Sequence, residues 1–163
     1  MAGLEDLYRE IILDHYRAPR NRGELPVPPA HKVEGFNPLC GDEVVLYIEV
    51  DNDTGTVSDV KIAGQGCSIS QASTSMMSAA VKGKSLEETR RLIRAFKALM
   101  SIHESKLEGE SDGSDLANDL EGVRLGDLEA LQGVVKFPVR IKCATLAWNT
   151  LQQALDESAA ETV

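Results

Sequence analysis

The stretch EVVLYIEV-DNDTG-TVSDVKIA, residues 43–63, decides the fold. Val44, Leu46, Ile48 and Val50 alternate with Glu43, Val45, Tyr47 and Glu49, the period-two pattern of a strand with one buried face. Asp51-Asn52-Asp53-Thr54-Gly55 follows and is rich in residues that tolerate left-handed backbone angles, so it reads as a turn. Residues 56–63 run back as the partner strand, with Val60 and Ile62 inward. The segment is an antiparallel hairpin. A further short strand is read over residues 31–37.

Helical patterns flank this hairpin. Over residues 4–17, Leu4, Leu7, Tyr8, Ile11, Ile12 and Tyr16 make one apolar stripe, and the helix should stop before Pro19. His15 lies beside the stripe and reads as a packed or half-exposed side chain rather than a ligand. Arg17, Arg20 and Arg22 come next: singly solvated side chains, together a patch that would suit an acidic partner. Pro26, Pro28 and Pro29 make an extended connector. After the hairpin, Gly64-Gln65-Gly66-Cys67-Ser68 predicts a tight turn into a helix over about 69–81. That helix has an inward stripe of Ile69, Ala72, Ser73, Met76, Met77 and Ala80, the methionines reading as core filler. Ser85-Leu86-Glu87-Glu88 is a capping box that opens a helix to about residue 101. Residues 125–131 suggest a short helix. Phe137-Pro138 opens the last one, with Cys143, Leu146, Ala147, Thr150, Leu151, Ala154 and Leu155 inward.

A chain of 163 residues fits one domain, read here as residues 1–157, with a frayed tail over 158–163. Hydrophobic residues make up 42% and aromatics only 4%, so aliphatic side chains must fill the core. The formal net charge is −9, which excludes a surface built to meet phosphates, so no nucleic-acid partner is expected. Most of that charge sits between Glu104 and Glu129, where nine acidic residues face only Lys106 and Arg124. The glycine-rich part of this segment, about 103–122, is read as an irregular acidic insertion, with His103 facing solvent. No apolar run is long enough to span a membrane. The first residues are charged and helix-patterned, unlike a signal peptide. Three cysteines without paired spacing fit a reducing, cytoplasmic setting.

The chemistry rests on those cysteines. Cys40 stands in Pro38-Leu39-Cys40-Gly41-Asp42, where a loop enters a strand. Cys67 and Cys143 each lie beside a predicted helix start, where the positive end of the dipole favours an anionic, ligating sulfur. Three thiolates and the Asp42 carboxylate would complete a tetrahedral shell, with Gly41 bending the chain between Cys40 and Asp42. Four anionic donors around a dication leave two negative charges, which Lys136, Arg140 or Lys142 could offset. Twenty-six residues separate Cys40 from Cys67 and 75 separate Cys67 from Cys143, so no short pair anchors a site. Pattern alone leaves two readings open: one shared metal site, or three separate core cysteines, the commoner arrangement.

The three cysteine contexts, Asn37-Pro38-Leu39-Cys40-Gly41-Asp42, Gly64 to Ser73 and Arg140 to Trp148, resemble the signature blocks of the IscU/NifU-like iron–sulfur assembly proteins, most of all the SufU type. The resemblance runs from the Tyr8–Tyr16 helix to the final helix. It implies an α+β fold, a three-stranded antiparallel sheet packed with about five or six helices. It implies a zinc site of Cys40, Asp42, Cys67 and Cys143, with Cys40 the sulfur acceptor. It implies a sulfurtransferase-like persulfide carrier that stimulates its partner, a pyridoxal-phosphate-dependent cysteine desulfurase of the SufS type, and passes sulfur to a downstream iron–sulfur scaffold. The alternative is a scaffold that itself holds an iron–sulfur cluster. Scaffolds of that kind have histidine before the third cysteine. Lys142 stands there instead and cannot ligate as an ammonium, which, with the acidic insertion, favours the zinc-dependent acceptor.

Overall fold

The computed structural model describes residues 4–27, 30–38, 41–51, 53–108, 128, 130–131 and 138–161. Helix α1 spans Leu4–Arg17. Three strands follow, β1 (His31–Asn37), β2 (Asp42–Asp51) and β3 (Thr56–Gln65). Helices α2 (Ser68–Val81), α3 (Leu86–Glu108) and α4 (Pro138–Glu161) complete the described elements. The strands form one antiparallel sheet in the order β1-β2-β3. The expected hairpin is present in register, Leu46 opposite Ile62 and Ile48 opposite Val60, with a bulge at Glu49/Val50 that leaves Val50 only half-buried.

One face of the sheet carries the core. Val33, Val44, Leu46, Ile48, Val60 and Ile62 point into it and are buried. Helices α2 and α4 lie on this face, α1 packs on α2, and α3 packs on α4. Helix α2 is therefore enclosed on nearly every side. Its Ser70, Ser73, Thr74, Ser75 and Ser78 are all buried, beyond the single stripe expected from sequence. Small hydroxyl side chains let the helices approach closely, and four of the five find partners among their neighbours, the exception being the buried Ser70 hydroxyl. Ser73 Oγ donates to the Ala144 carbonyl at 2.5 Å and accepts from Trp148 Nε1 at 3.2 Å. Trp148 in turn stacks on Phe96, ring centres 4.5 Å apart at 17°, which fastens α3 to α4. His15 is buried, with Nδ1 2.8 Å from Ser75 Oγ, a hydroxyl that also accepts from the Arg20 amide at 2.8 Å. It packs α1 against α2, as the sequence reading had it.

Helix number and helix ends differ in places from the sequence reading. Among the described residues there are four helices rather than five or six. Helix α3 does not stop near 101 but continues to Glu108, into the start of the expected insertion. Helix α4 continues past Ser158 to Glu161. Of the short helix expected over 125–131, Leu128, Ala130 and Leu131 are described, and all three are buried in the core. The remainder of the acidic segment (residues 109–127), Lys136 and the His103 side chain lie outside the described residues. Ser85 caps the helix as expected: Glu88 N–H donates to Ser85 Oγ at 3.0 Å. Of the three arginines, Arg20 is engaged within its own turn, bonded to the Asp14 carboxylate and to the Ala18 carbonyl. Its guanidinium holds the Asp14 carboxyl below the usual aspartate range. No helix among the described residues is long and apolar enough to cross a membrane.

Candidate metal centre

Three elements converge at one end of the sheet. Asp42 is the first residue of β2 and pairs across the ladder with Asn37, the last residue of β1. Gly41 precedes it with φ +67, so the bend expected there from sequence is made in the left-handed region that favours glycine. Cys67 is the N-cap of α2, its sulfur accepting from the Ser70 amide at 3.4 Å. Cys143 is fully buried in the second turn of α4 rather than at a helix start. The helix-start placement expected for both cysteines therefore holds for Cys67 alone.

The close approach has an identifiable cause. A side chain at Gly66 would put its Cβ 2.5 Å from Asp42 Oδ1 and 2.9 Å from Asp42 Cα. Only glycine lets the turn into α2 lie against Asp42. The Cys67 amide then donates to Asp42 Oδ1 at 2.8 Å, and Cys67 Sγ sits 3.8 Å from Oδ2. On the other flank, Gly35 of β1 faces Thr150 and Leu146 of α4 so closely that a Cβ there would overlap the Thr150 hydroxyl. That contact brings Cys143 up to the same end of the sheet.

One ligand atom each from Asp42, Cys67 and Cys143 lies within 4.8 Å of the others. Asp42 is wholly buried. A buried carboxylate beside two sulfurs is costly to keep anionic without a compensating charge, and two soft sulfurs with one oxygen suit zinc. The donor set and its spacing fit such an ion. Of the four residues expected from sequence, these three are brought together; Cys40 lies outside the described residues. Arg140 and Lys142 are exposed on α4. Sequence reasoning missed Asn37 as a member of the site. It is 7% exposed, with Nδ2 3.5 Å from Asp42 Oδ2 and 3.8 Å from Cys143 Sγ. The signal was a polar residue at an inward strand position.

The fold is thus an α+β domain with two thiols and a carboxylate gathered at the end of a three-stranded sheet, a donor set that could hold a metal ion. The chain belongs to the NifU-like N-terminal domain family, which residues 7–120 match. It is 43% identical over 154 residues to the zinc-dependent sulfurtransferase SufU of Bacillus subtilis, covering 94% of this chain and 92% of that one. It is 40% identical over 159 residues to the iron–sulfur cluster assembly scaffold protein IscU of Streptococcus pyogenes, covering 98% and 89%. A crystal structure from Fervidobacterium islandicum, described as an iron–sulfur cluster assembly scaffold for the SUF system, superposes with a TM-score of 0.71 at 34% identity, covering 94% and 99%.

Proposed function

We propose that the chain is a zinc-dependent sulfur acceptor for iron–sulfur cluster assembly. It would take sulfur from a pyridoxal-phosphate-dependent cysteine desulfurase of the SufS type, stimulate that enzyme, and pass the sulfur to a downstream iron–sulfur scaffold. The observation that carries the reading is the convergence of Asp42, Cys67 and Cys143, far apart in sequence, within 4.8 Å. Cys40 is the fourth proposed ligand. It precedes Asp42 by two residues in the sequence. Zinc, when bound by these residues, supplies a redox-inert centre that keeps thiolates ordered and unoxidised.

The chain's own residues divide the remaining work. Asp42, held by the Cys67 amide, and the buried Cys143 are fixed points of the site. Cys40, which falls between β1 and β2 in sequence, is the nucleophile. Its thiolate attacks the terminal sulfur of the desulfurase persulfide. The sulfur–sulfur bond there breaks, the desulfurase cysteine departs as thiolate, and Cys40 carries the sulfur as a persulfide, with no external oxidant. The test is intact mass after incubation with desulfurase and cysteine. Wild type gains one sulfur atom, and Cys40→Ala gains none and loses the stimulation of turnover. A Cys40→Ala variant that accepts sulfur and stimulates fully overturns the assignment.

A scaffold reading is favoured by the likeness to the Streptococcus pyogenes protein. The exposed Lys142, at the place where scaffolds of that kind have histidine, weighs against it. Metal analysis of protein purified without oxygen separates the two. Zinc without visible absorption supports the sulfur acceptor, and iron with sulfide absorption supports the scaffold.

A further inference from the structure

We infer that Asn37 is a positioning residue of the metal centre: its side-chain amide orients the Asp42 carboxylate and donates to the Cys143 sulfur. The inference rests on the metal reading of the site. Along β1 the inward positions are His31, Val33, Gly35 and Asn37. A primary amide at a core-facing strand position forfeits its hydration, a cost of about 1–3 kcal/mol unless partners are found. Asn37 Nδ2 lies between two groups of the site, 3.5 Å from Asp42 Oδ2 and 3.8 Å from Cys143 Sγ. The contact to the carboxylate is at the long limit of an N–H···O bond, and the one to sulfur is within reach of the larger acceptor.

The arrangement gives Asp42 two different oxygens. Oδ1 is fixed by the Cys67 amide at 2.8 Å, so the carboxylate cannot rotate freely. Oδ2 is the oxygen nearest both the Cys67 sulfur and the Asn37 amide, which makes it the natural ligand atom. An N–H donor against a carboxylate and a sulfur also spreads negative charge in a site built from anions. The β1–β2 ladder sets Asn37 opposite Asp42. Outer-shell donors of this kind tune metal affinity by about 10–100-fold.

Cobalt(II) supplies the probe, because sulfur-to-cobalt charge-transfer absorption reports how strongly the thiolates donate. Asn37→Leu removes the amide, and Asn37→Asp keeps the shape while replacing the donor with an anion. Both are expected to bind cobalt about 10–100-fold more weakly in chelator competition. The charge-transfer band should move and the far-ultraviolet circular dichroism should stay at the wild-type value. A merely structural asparagine would leave the band of the folded variant unmoved. If Asn37→Leu does not fold, the isosteric Asn37→Asp decides. Its binding within about twofold of wild type, or more tightly, with an unshifted band overturns the inference while the metal reading stands. Wild-type protein that takes up no cobalt through thiolates overturns the metal reading and this inference with it.

Discussion

Gly66→Ala tests the packing that brings the two halves of the metal centre together. The added methyl would lie 2.5 Å from Asp42 Oδ1, 2.9 Å from Asp42 Cα and 3.1 Å from Asp42 Cβ. Ordinary contact begins near 3.4 Å, so a gap of roughly half to one ångström must open. Swinging the carboxylate away relieves only the first clash. The second involves backbone at the start of β2, held by its ladder to Asn37. Opening the gap sacrifices the Cys67 amide bond to Asp42, worth about 1.5–3 kcal/mol for a charged acceptor. Overpacking adds about 1–3 kcal/mol. A loss of about 3 kcal/mol is expected, which for a chain of this size lowers Tm by about 6–12 °C. The displacement also moves Cys67 relative to Asp42, so zinc affinity should fall by at least about tenfold in chelator competition. Urea unfolding and zinc titration on the same preparation read both effects. A variant within about 0.5 kcal/mol of wild type in stability and about twofold in zinc affinity would refute the claim that the missing side chain at Gly66 sets the site.

Two further outcomes follow from contacts away from the centre. Ser75→Ala removes the hydroxyl shared by His15 Nδ1 and the Arg20 amide. It should cost about 2 kcal/mol, read as a fall in Tm of about 4–8 °C, and a change below about 0.5 kcal/mol would show that α1 is held by its apolar stripe alone. The Glu157–His31 bond, 2.8 Å, ties α4 to β1 and lowers the Glu157 pKa from its usual 4.5, with a smaller part from Gln153. A carboxylate whose folded pKa is depressed contributes stability that is full above the unfolded value. That contribution is lost as pH falls through the lowered folded value. The small gap in urea midpoint between wild type and Glu157→Gln should therefore exist at neutral pH and close as pH falls through the lowered folded value, and a gap that persists in acid would contradict the assignment.

The hairpin was legible because its two signals are local: alternation along residues 43–63 and a turn rich in Asp, Asn and Gly. Helix α1 was legible in its extent, Leu4–Arg17, for the same reason, but of its expected stripe Leu7 and Tyr16 are exposed while Tyr8, Ile11 and Ile12 pack on the core. Helix α2 was only half legible. Its serines and threonines look like a solvated face in sequence, yet a helix enclosed by α1, α4 and the sheet buries them against carbonyls, a ring nitrogen and each other. The acidic residues after about 101 suggested a break, but a run without proline lets the α3 ladder continue to Glu108. At the site, spacing could not join Cys67 to Cys143, because the contact depends on β1 and α4 meeting at Gly35, a tertiary event with no local mark. Asn37 stayed hidden for a related reason: a polar residue ending a short strand reads as a turn residue until its inward orientation is known.

The segment after α1 has a consequence for association. Asn21 accepts from the Ile62 amide at 2.9 Å, and the Gly23 amide donates to the Ile62 carbonyl at 3.0 Å. This short stretch lies along the outside of β3 and occupies backbone groups that another chain could otherwise recruit. On the opposite flank, no described strand pairs with the outer edge of β1. Exposed Lys32 and Glu34 stand there, paired at 3.4 Å, the kind of charge that discourages strand addition. Strand-to-strand aggregation would therefore be directed to β1. Replacing those two charges with apolar residues is the change that would turn a self-limited sheet into a polymerising one.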